Sequence, residues 1–172
     1  DKNKAKWMVD NIVTNSWNDQ TDLGKPIQEC IFELKQAYPK YAPYIAAYWY
    51  CYKDMDGGEI PGIYDVMKDL KNRGYHLYCL TNWSHETFPI VKEVHARLFE
   101  LFDGIVVSGE EKMVKPNPEI YNLLLSRYNL KASESIFIDD RQRNVDGANQ
   151  VGIHGILFKG SNELKEQLAQ YL

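Results

Sequence analysis

The chain has little cysteine, no long apolar run and no surplus of positive charge, and each shortage excludes a class of protein. Its three cysteines, Cys30, Cys51 and Cys79, lie far apart and form no Cys-x-x-Cys pair, which is typical of reduced thiols rather than of a disulfide framework or structural zinc. No stretch approaches the ~20 apolar residues of a membrane-spanning helix, and residues 1–4 lack the pattern of a signal peptide. We therefore expect a cytoplasmic protein.

The balance of charge also excludes two kinds of partner. With 20 basic and 24 acidic residues the formal net charge is -4, so neither nucleic acid nor an anionic membrane would find the basic face that it requires. Hydrophobic residues make up 44% of the 172 residues, which is a globular composition and enough for one core with a small second lobe. A small soluble substrate is the expected partner.

The chain divides at a Gly- and Pro-rich segment, residues 56–62. Before it, apolar residues such as Trp7, Met8 and Ile12 recur at helical spacing, and no strand pattern occurs. Clustered Gly and Pro interrupt regular structure and permit hinge dihedral angles. We therefore predict a helical cap lobe over residues 1–57 and a separate core over residues 58–172.

Helices and strands alternate in the predicted core. Short apolar runs predict strands, and amphipathic or capped segments between them predict helices. The strands are predicted at 76–80, 104–108, 135–138 and 154–158, and the helices at 63–72, 86–99, 118–128 and 144–150. This order is typical of a doubly wound, Rossmann-like parallel sheet in an α/β protein. The continuous apolar runs predict strands that are covered on both faces.

Polar side chains follow two of these strands and one loop. Thr81 and Asn82 end one strand, Asp139 and Asp140 end another, and Lys115 lies in a loop between them. Ligands bind beyond the carboxyl ends of such strands. Two adjacent carboxylates favour a compensating cation, and hard oxygens without clustered His or Cys favour Mg²⁺ over zinc. The pattern predicts a phosphoryl site with a magnesium ion.

The local sequences around these residues resemble the haloacid dehalogenase superfamily, whose members are mostly phosphatases. The resemblance covers nearly the whole chain and is closest to a sugar-phosphatase-like branch with a helical cap. It is carried by Thr81-Asn82-Trp83-Ser84, by 104–110, by Lys115-Pro116-Asn117-Pro118, by Ile138-Asp139-Asp140 and by 152–156.

The resemblance implies a role for each matching residue. The Thr81 hydroxyl and the Asn82 amide would hydrogen-bond a phosphoryl oxygen. Lys115 would neutralise both the nucleophile and the transferred phosphoryl group. Asp140 would ligate Mg²⁺ directly, with Asp139 beside it or reached through water. Asn144 matches a position near the metal in some relatives and is a weaker candidate.

Each of these residues also has an ordinary structural interpretation. Thr81 could belong to a strand-to-helix turn capped by Ser84, Lys115 could be a solvated loop residue, and Asp140 could cap the helix that follows it. Tyr48 belongs to a helically spaced row of tyrosines, which favours the core or the lobe interface over ligand stacking.

The first motif of the family, a strand ending in an aspartate nucleophile, does not occur in this sequence. Asp1, Asp10, Asp19 and Asp22 all lie within the predicted cap, in polar or helical surroundings, and none follows an apolar strand. We therefore expect the chain as it stands to bind phosphate and a cation without forming an aspartyl-phosphate intermediate. The absent strand would be central in the sheet, and we expect roughly 20 to 30 further residues before Asp1.

The leading hypothesis is a Mg²⁺-dependent phosphatase of a small phosphorylated metabolite. A haloacid dehalogenase, which needs no metal, is an alternative that the doubled acid disfavours. A non-catalytic protein that binds phosphate and Mg²⁺ is the alternative from another class. A receiver domain uses similar residues but has its acidic pair first in the chain, so that interpretation is poor. Asp54, Asp56 and Glu59 near the hinge could contact substrate, although a solvated acidic linker is the simpler account.

Overall fold

A computed structural model describes residues 2–171, without the side chains of residues 2–5, 52 and 55. Helices alone occupy the described chain before residue 56, and helices alternate with short strands after it. The helices are α1 (Lys2–Asn11), α2 (Asn15–Asp22), α3 (Ile27–Ala37), α4 (Ala42–Tyr50), α5 (Ile63–Asn72), α6 (Phe88–Val94), α7 (Ala96–Phe99), α8 (Ser108–Glu111), α9 (Pro118–Arg127), α10 (Gln142–Gln150) and α11 (Ser161–Leu168). The strands are β1 (Tyr78–Thr81), β2 (Gly104–Val107), β3 (Ile136–Asp139) and β4 (His154–Leu157).

Helices α1 to α4 enclose an apolar interior of their own. The Thr14 hydroxyl accepts a hydrogen bond from Trp17 N at 3.3 Å and so begins α2, as a residue at the N-cap should. Trp17 is buried and donates its indole N–H to Cys30 O at 3.3 Å. The remaining buried apolar residues of this interior are Met8, Ile12, Val13, Ile27, Ile31, Leu34, Ile45 and Trp49.

The four strands form two parallel pairs rather than one continuous sheet. Strand β1 pairs with β2, with Thr81 opposite Val107, and β3 pairs with β4, with Asp139 opposite Leu157. Within residues 2–171 no strand joins β1 to β3. Each of these two strands therefore has a hydrogen-bonded neighbour on one side only. The sequence predicts a missing central strand at their unpaired edges.

Helices cover both faces of the strand pairs. On one face Leu80, Val106 and Phe137 pack with residues of α9 and α10, including Tyr121 and Ala148. On the other face Ile156 packs between α5 and α11. Helices on both faces and parallel pairing confirm the predicted α/β, doubly wound, Rossmann-like class.

Several predicted elements are corrected. The helix predicted over 86–99 is two helices, because His95 has non-helical angles (φ -109°, ψ 33°) and its ring bonds Asp56 Oδ2 at 2.7 Å. Helix α11 was not predicted, although Leu164 and Leu168 are buried at helical spacing. Ile138 was predicted to be buried in a two-sided strand but is 36% exposed, and it lies on the strand with one open edge.

No described helix combines the length and the apolar character that crossing a membrane requires. The three cysteines are free thiols, and Cys30 is buried.

Candidate functional site

A cavity of about 340 Å³ lies between the helical region, which consists of α1 to α4, and the carboxyl ends of β1 and β3. All six residues singled out by the sequence line it: Thr81, Asn82, Lys115, Asp139, Asp140 and the weaker candidate Asn144. The residues at the ends of β1 and β3 come together because parallel strands present their carboxyl ends at the same edge, and the loop that carries Lys115 is held beside them by Asn82. The cavity is therefore the place where these side chains could act on one ligand.

Lys115 and Asp139 form a buried ion pair at the base of the cavity. The Lys115 ammonium donates to Asp139 Oδ2 at 2.8 Å and to Leu80 O at 2.7 Å. Both residues are nearly inaccessible, at 8% for Lys115 and 9% for Asp139. The ammonium thus bridges β1 and β3, which have no backbone hydrogen bonds to each other. The interpretation of Lys115 as a solvated loop residue is wrong.

The electrostatic surroundings keep Asp139 ionised. Burial acts to raise its pKa, but the Lys115 charge and hydrogen bond outweigh burial, together with bonds from Arg141 N and Asn144 Nδ2, and hold the pKa below its ordinary value. Arg141 N and Asn144 Nδ2 both reach Asp139 Oδ1 at 2.9 Å. Because hydrogen bonds engage both of its oxygens, Asp139 is better suited to holding Lys115 than to ligating a metal.

Asn82 fixes the loop that carries Lys115. Its side-chain oxygen accepts from Lys115 N at 2.8 Å, and its side-chain nitrogen donates to Lys115 O at 3.0 Å. The Asn82 side chain thus satisfies both main-chain polar groups of Lys115. Sequence reasoning assigned only the Asn82 amide to phosphate and missed this clamp, since the partner lies 33 residues away.

The turn after β1 is held by two serines. Ser84 is buried, and its hydroxyl accepts from Glu86 N at 3.2 Å. The Ser108 hydroxyl accepts a hydrogen bond from Trp83 N at 2.9 Å and donates one to Trp83 O at 3.4 Å. The capping interpretation of Ser84 is consistent with this turn, and Thr81 lines the cavity beside it.

Asp140 and Asn144 are the residues that could serve a metal. Asp140 is exposed and lines the cavity. Asn144 also lines the cavity, and its buried side-chain oxygen, Oδ1, has no hydrogen-bond partner among the described atoms. Helix α10 begins at Gln142 without a side-chain cap, so the capping interpretation of Asp140 is wrong. The carboxylate oxygens of Asp140 and the amide oxygen of Asn144 are hard ligands of the type that Mg²⁺ prefers.

These residues fit magnesium in chemistry but provide only part of a coordination shell. Among the described side chains no group of three or more His, Cys, Asp or Glu could hold a metal ion. Of the carboxylates considered as nucleophiles, Asp10 pairs with Lys6 on the surface, while Asp19 and Asp22 line the opposite wall. Asp1 lies outside the described residues.

The wall contributed by the helical region was not recognised from the sequence. Asp22 and Tyr48 line the cavity, and Arg141 lines it from the other side. Burial and the neighbouring Asp19 raise the pKa of Asp22 to about 6, against the lowering effect of Arg141 and Lys115. The helical spacing of Tyr48 indicated packing or the lobe interface, and nothing in the sequence indicates that α2 and α4 reach the strand ends.

The acidic residues of the linker lie elsewhere. Asp56 Oδ2 is 2.7 Å from His95 Nε2, and Glu59 accepts two bonds from the Arg97 guanidinium at 3.0 and 2.6 Å. These contacts fasten the linker to α7 and to His95, which directly precedes it, and none of Asp54, Asp56 and Glu59 lines the cavity.

Comparison with known proteins points to one family. The model of the haloacid dehalogenase-like hydrolases matches residues 6–152. The chain is 37% identical over 91 residues to the sesquiterpene phosphatase astK of Aspergillus oryzae, covering 53% of this chain and 46% of that protein. It is 29% identical over 118 residues to ribulose-1,5-bisphosphate 5-phosphatase of Halopiger xanaduensis, covering 68% and 48%. The chain spans about half the length of these relatives.

Solved structures share the fold. A haloacid dehalogenase family enzyme of Bacteroides thetaiotaomicron in complex with magnesium has a TM-score of 0.77 at 21% identity, covering 97% of this chain and 87% of that one. An alanine variant of that enzyme, in complex with magnesium and inorganic phosphate, has a TM-score of 0.72 at 20% identity, covering 92% and 84%.

Proposed function

Because the chain belongs to the haloacid dehalogenase-like hydrolases, we propose that it forms the phosphoryl-binding part of a Mg²⁺-dependent phosphatase of a small phosphorylated metabolite. The proposal includes a cap lobe over residues 1–57, a core over residues 58–172 and a cytoplasmic location. The observation that carries it is the buried Lys115 ammonium, which lies beside Asp139 in the cavity that Thr81 and Asp140 also line.

The proposed chemistry assigns a task to each side chain. Lys115 balances negative charge at the base of the cavity, where burial strengthens its field. The Thr81 hydroxyl and the Asn82 main-chain N–H donate to phosphoryl oxygens, and Asn82 also holds the Lys115 loop in place. Asp140, with Asn144 Oδ1, would hold Mg²⁺, which when bound supplies further neutralisation of phosphoryl charge.

The nucleophile is the part of the mechanism that the described residues do not provide. Catalysis through an aspartyl-phosphate intermediate needs a carboxylate aimed at the phosphorus atom. Asp139 is committed to Lys115, Arg141 N and Asn144, and no other described strand ends in an acid. We propose that the nucleophile belongs to the complete protein and that the 172-residue chain binds without turnover.

The test is an activity assay of the complete gene product. The gene product is assayed on a panel of phosphoesters with and without Mg²⁺, together with its Thr81→Ala variant. We expect Mg²⁺-dependent release of phosphate and a loss of roughly 10²-fold to 10³-fold in kcat for the variant, as for removal of one oxyanion donor. The absence of turnover on every phosphoester would refute the proposal.

The dehalogenase alternative has a distinct outcome. Release of halide from a 2-haloacid without Mg²⁺, and no release of phosphate, would replace the phosphatase with a dehalogenase. The exposed Asp140 beside the ionised Asp139 argues against it, because a site without a metal has little use for a second carboxylate. If the complete product binds phosphate but turns over neither class, the non-catalytic binding protein is correct.

A further inference from the structure

The wall of the cavity formed by α2 and α4 differs in charge from the opposite wall. Apart from Trp49, the side chains that line it are acids, amides and hydroxyls, and none of the residues described there is basic. The set consists of Asn15, Asn18, Asp19, Thr21, Asp22, Tyr48 and Trp49. The two cationic side chains of the cavity, Lys115 and Arg141, both belong to the α/β region. A phosphorylated ligand would therefore orient its phosphoryl group away from α2.

Asp22 is the residue of this wall on which the charge difference depends most. It is the last residue of α2, where the partial negative charge of the helix end adds to that of the carboxylate. It is partly buried, whereas Asp19 is exposed. The charges of Arg141 and Lys115 both act on it across the cavity. A second anion placed near Asp22 would meet like charge with limited solvent screening.

We infer that Asp22 is a specificity-determining residue, which accepts hydrogen bonds from an uncharged, hydroxyl-bearing leaving group and excludes one that carries a second anion. The inference rests on the proposed function, because it assumes that the phosphoryl group occupies the Lys115 end of the cavity. It adds to that function the chemical class of the rest of the substrate.

One further observation supports hydrogen bonding at the α2 wall. The pKa of Asp22 is raised only to about 6, so near pH 7.5 the side chain is mostly ionised and acts as an acceptor. Asp22 lines the same cavity as Lys115, so a hydroxyl on the leaving group of a bound phosphoester could donate to its carboxylate.

The test is calorimetry on the 172-residue chain at pH 7.5 with Mg²⁺ and three probes. Inorganic phosphate reports on the phosphoryl end alone. Glycerol 3-phosphate and 3-phosphoglycerate are matched in size. Glycerol 3-phosphate carries an uncharged hydroxymethyl group where 3-phosphoglycerate carries a carboxylate. We expect glycerol 3-phosphate to bind at least tenfold more tightly than 3-phosphoglycerate. In Asp22→Asn the ratio should fall to within about threefold, while phosphate affinity changes less than twofold.

Two further variants make the result specific. Asp10→Asn removes the same charge from an exposed position outside the cavity and should leave the ratio unchanged. Asp22→Glu keeps the charge and should keep the preference, and it provides the comparison if Asp22→Asn fails to fold. An unchanged ratio in Asp22→Asn, or an equal fall in Asp10→Asn, would overturn the inference.

The outcomes also separate this inference from the proposed function. If phosphate binds but the wild-type chain does not discriminate between the two esters, the role of Asp22 is refuted and the phosphoryl site stands. If none of the three probes binds, both are refuted for this chain.

Discussion

Lys115 is held at two independent places, and the rest of the cavity depends on both. Asn82 holds its main chain, while Leu80 O and Asp139 hold its ammonium. An ion pair with so little exposure is costly to break on one side, because the remaining charge stays buried without its partner. Lys115 therefore contributes to stability as well as to the proposed chemistry.

Replacing Lys115 with methionine should destabilise the chain strongly. We expect Lys115→Met to lose about 3 to 5 kcal/mol in urea unfolding at pH 7, the usual cost of leaving one buried charge unpaired. The pKa of Asp139 is held below its ordinary value of 3.8, so this stabilisation is present above that pH and is lost as the pH falls through the lowered pKa. The difference from wild type should shrink correspondingly in acid.

Two controls accompany this variant. Lys131→Met breaks an exposed pair with Glu134 and should cost less than about 1 kcal/mol. The double variant Lys115→Met, Asp139→Asn should recover part of the loss, because no buried charge is left unpaired. If Lys115→Met is as stable to unfolding as wild type, the Lys115–Asp139 pair does not stabilise the fold and the prediction is wrong.

Asp22 should have the opposite dependence on pH. Its folded pKa is raised from 3.8 to about 6, so its contribution to stability is complete below pH 3.8 and is lost as the pH rises through 6. We expect Asp22→Asn to be more stable than wild type at pH 7.5, by on the order of 1 to 2 kcal/mol after solvent screening, and equal to it near pH 4. Thermal melts across this range, with Asp10→Asn as the control, measure the effect.

Helix α10 lies unusually close to the loop that follows Lys115. A Cβ atom added at Gly147 would lie 2.5 Å from Pro116 O and 3.0 Å from the Tyr121 hydroxyl. The helix thus uses a residue without a side chain where the loop backbone passes. This approach keeps Asn144, one turn earlier, beside Asp139.

Gly147→Ala should therefore be destabilising, although alanine is the better helix former. We expect a loss of about 1 to 3 kcal/mol in urea unfolding, since rigid backbone would have to move. Gly57→Ala is the control, because an added Cβ there meets nothing within 4 Å. A gain in stability for Gly147→Ala would show that the loop moves aside freely.

The sequence predicted the elements and residues whose positions follow from local pattern. Helix α5 was predicted with the bounds that it has, because its apolar positions have helical spacing. Thr81 and Asp139 could be grouped because parallel strands end at one edge, and the family resemblance added Lys115 to them. The break at His95 and the positions of Asp22 and Tyr48 could not be predicted, since they depend on contacts between distant segments, such as Ile27 N donating to Glu86.

The division of the strands into two pairs affects the molecule as a whole. Strands β1 and β3 each present an open edge to the other, bridged by the Lys115 ammonium instead of by a ladder. Open edges next to apolar side chains promote pairing between chains. Ile138, 36% exposed on β3, is one such side chain.

The chain should therefore self-associate as its concentration rises. We expect light scattering during gel filtration to give a mass above the 20.0 kDa of one chain, and Ile138→Lys to restore the monomer, as charged side chains do at exposed edges. Ile60→Lys, at a position 50% exposed in the linker, should leave the association unchanged. A monomer at all concentrations would contradict the prediction.

The separate apolar interior of the helical region determines what an optical experiment reports. Three of the four tryptophans, Trp7, Trp17 and Trp49, belong to that region, and Trp83 alone lies beside the strands. Intrinsic fluorescence is therefore mainly a signal of the helical region, whereas circular dichroism averages over the whole chain. Denaturation curves from the two methods will coincide only if both regions unfold in one cooperative transition.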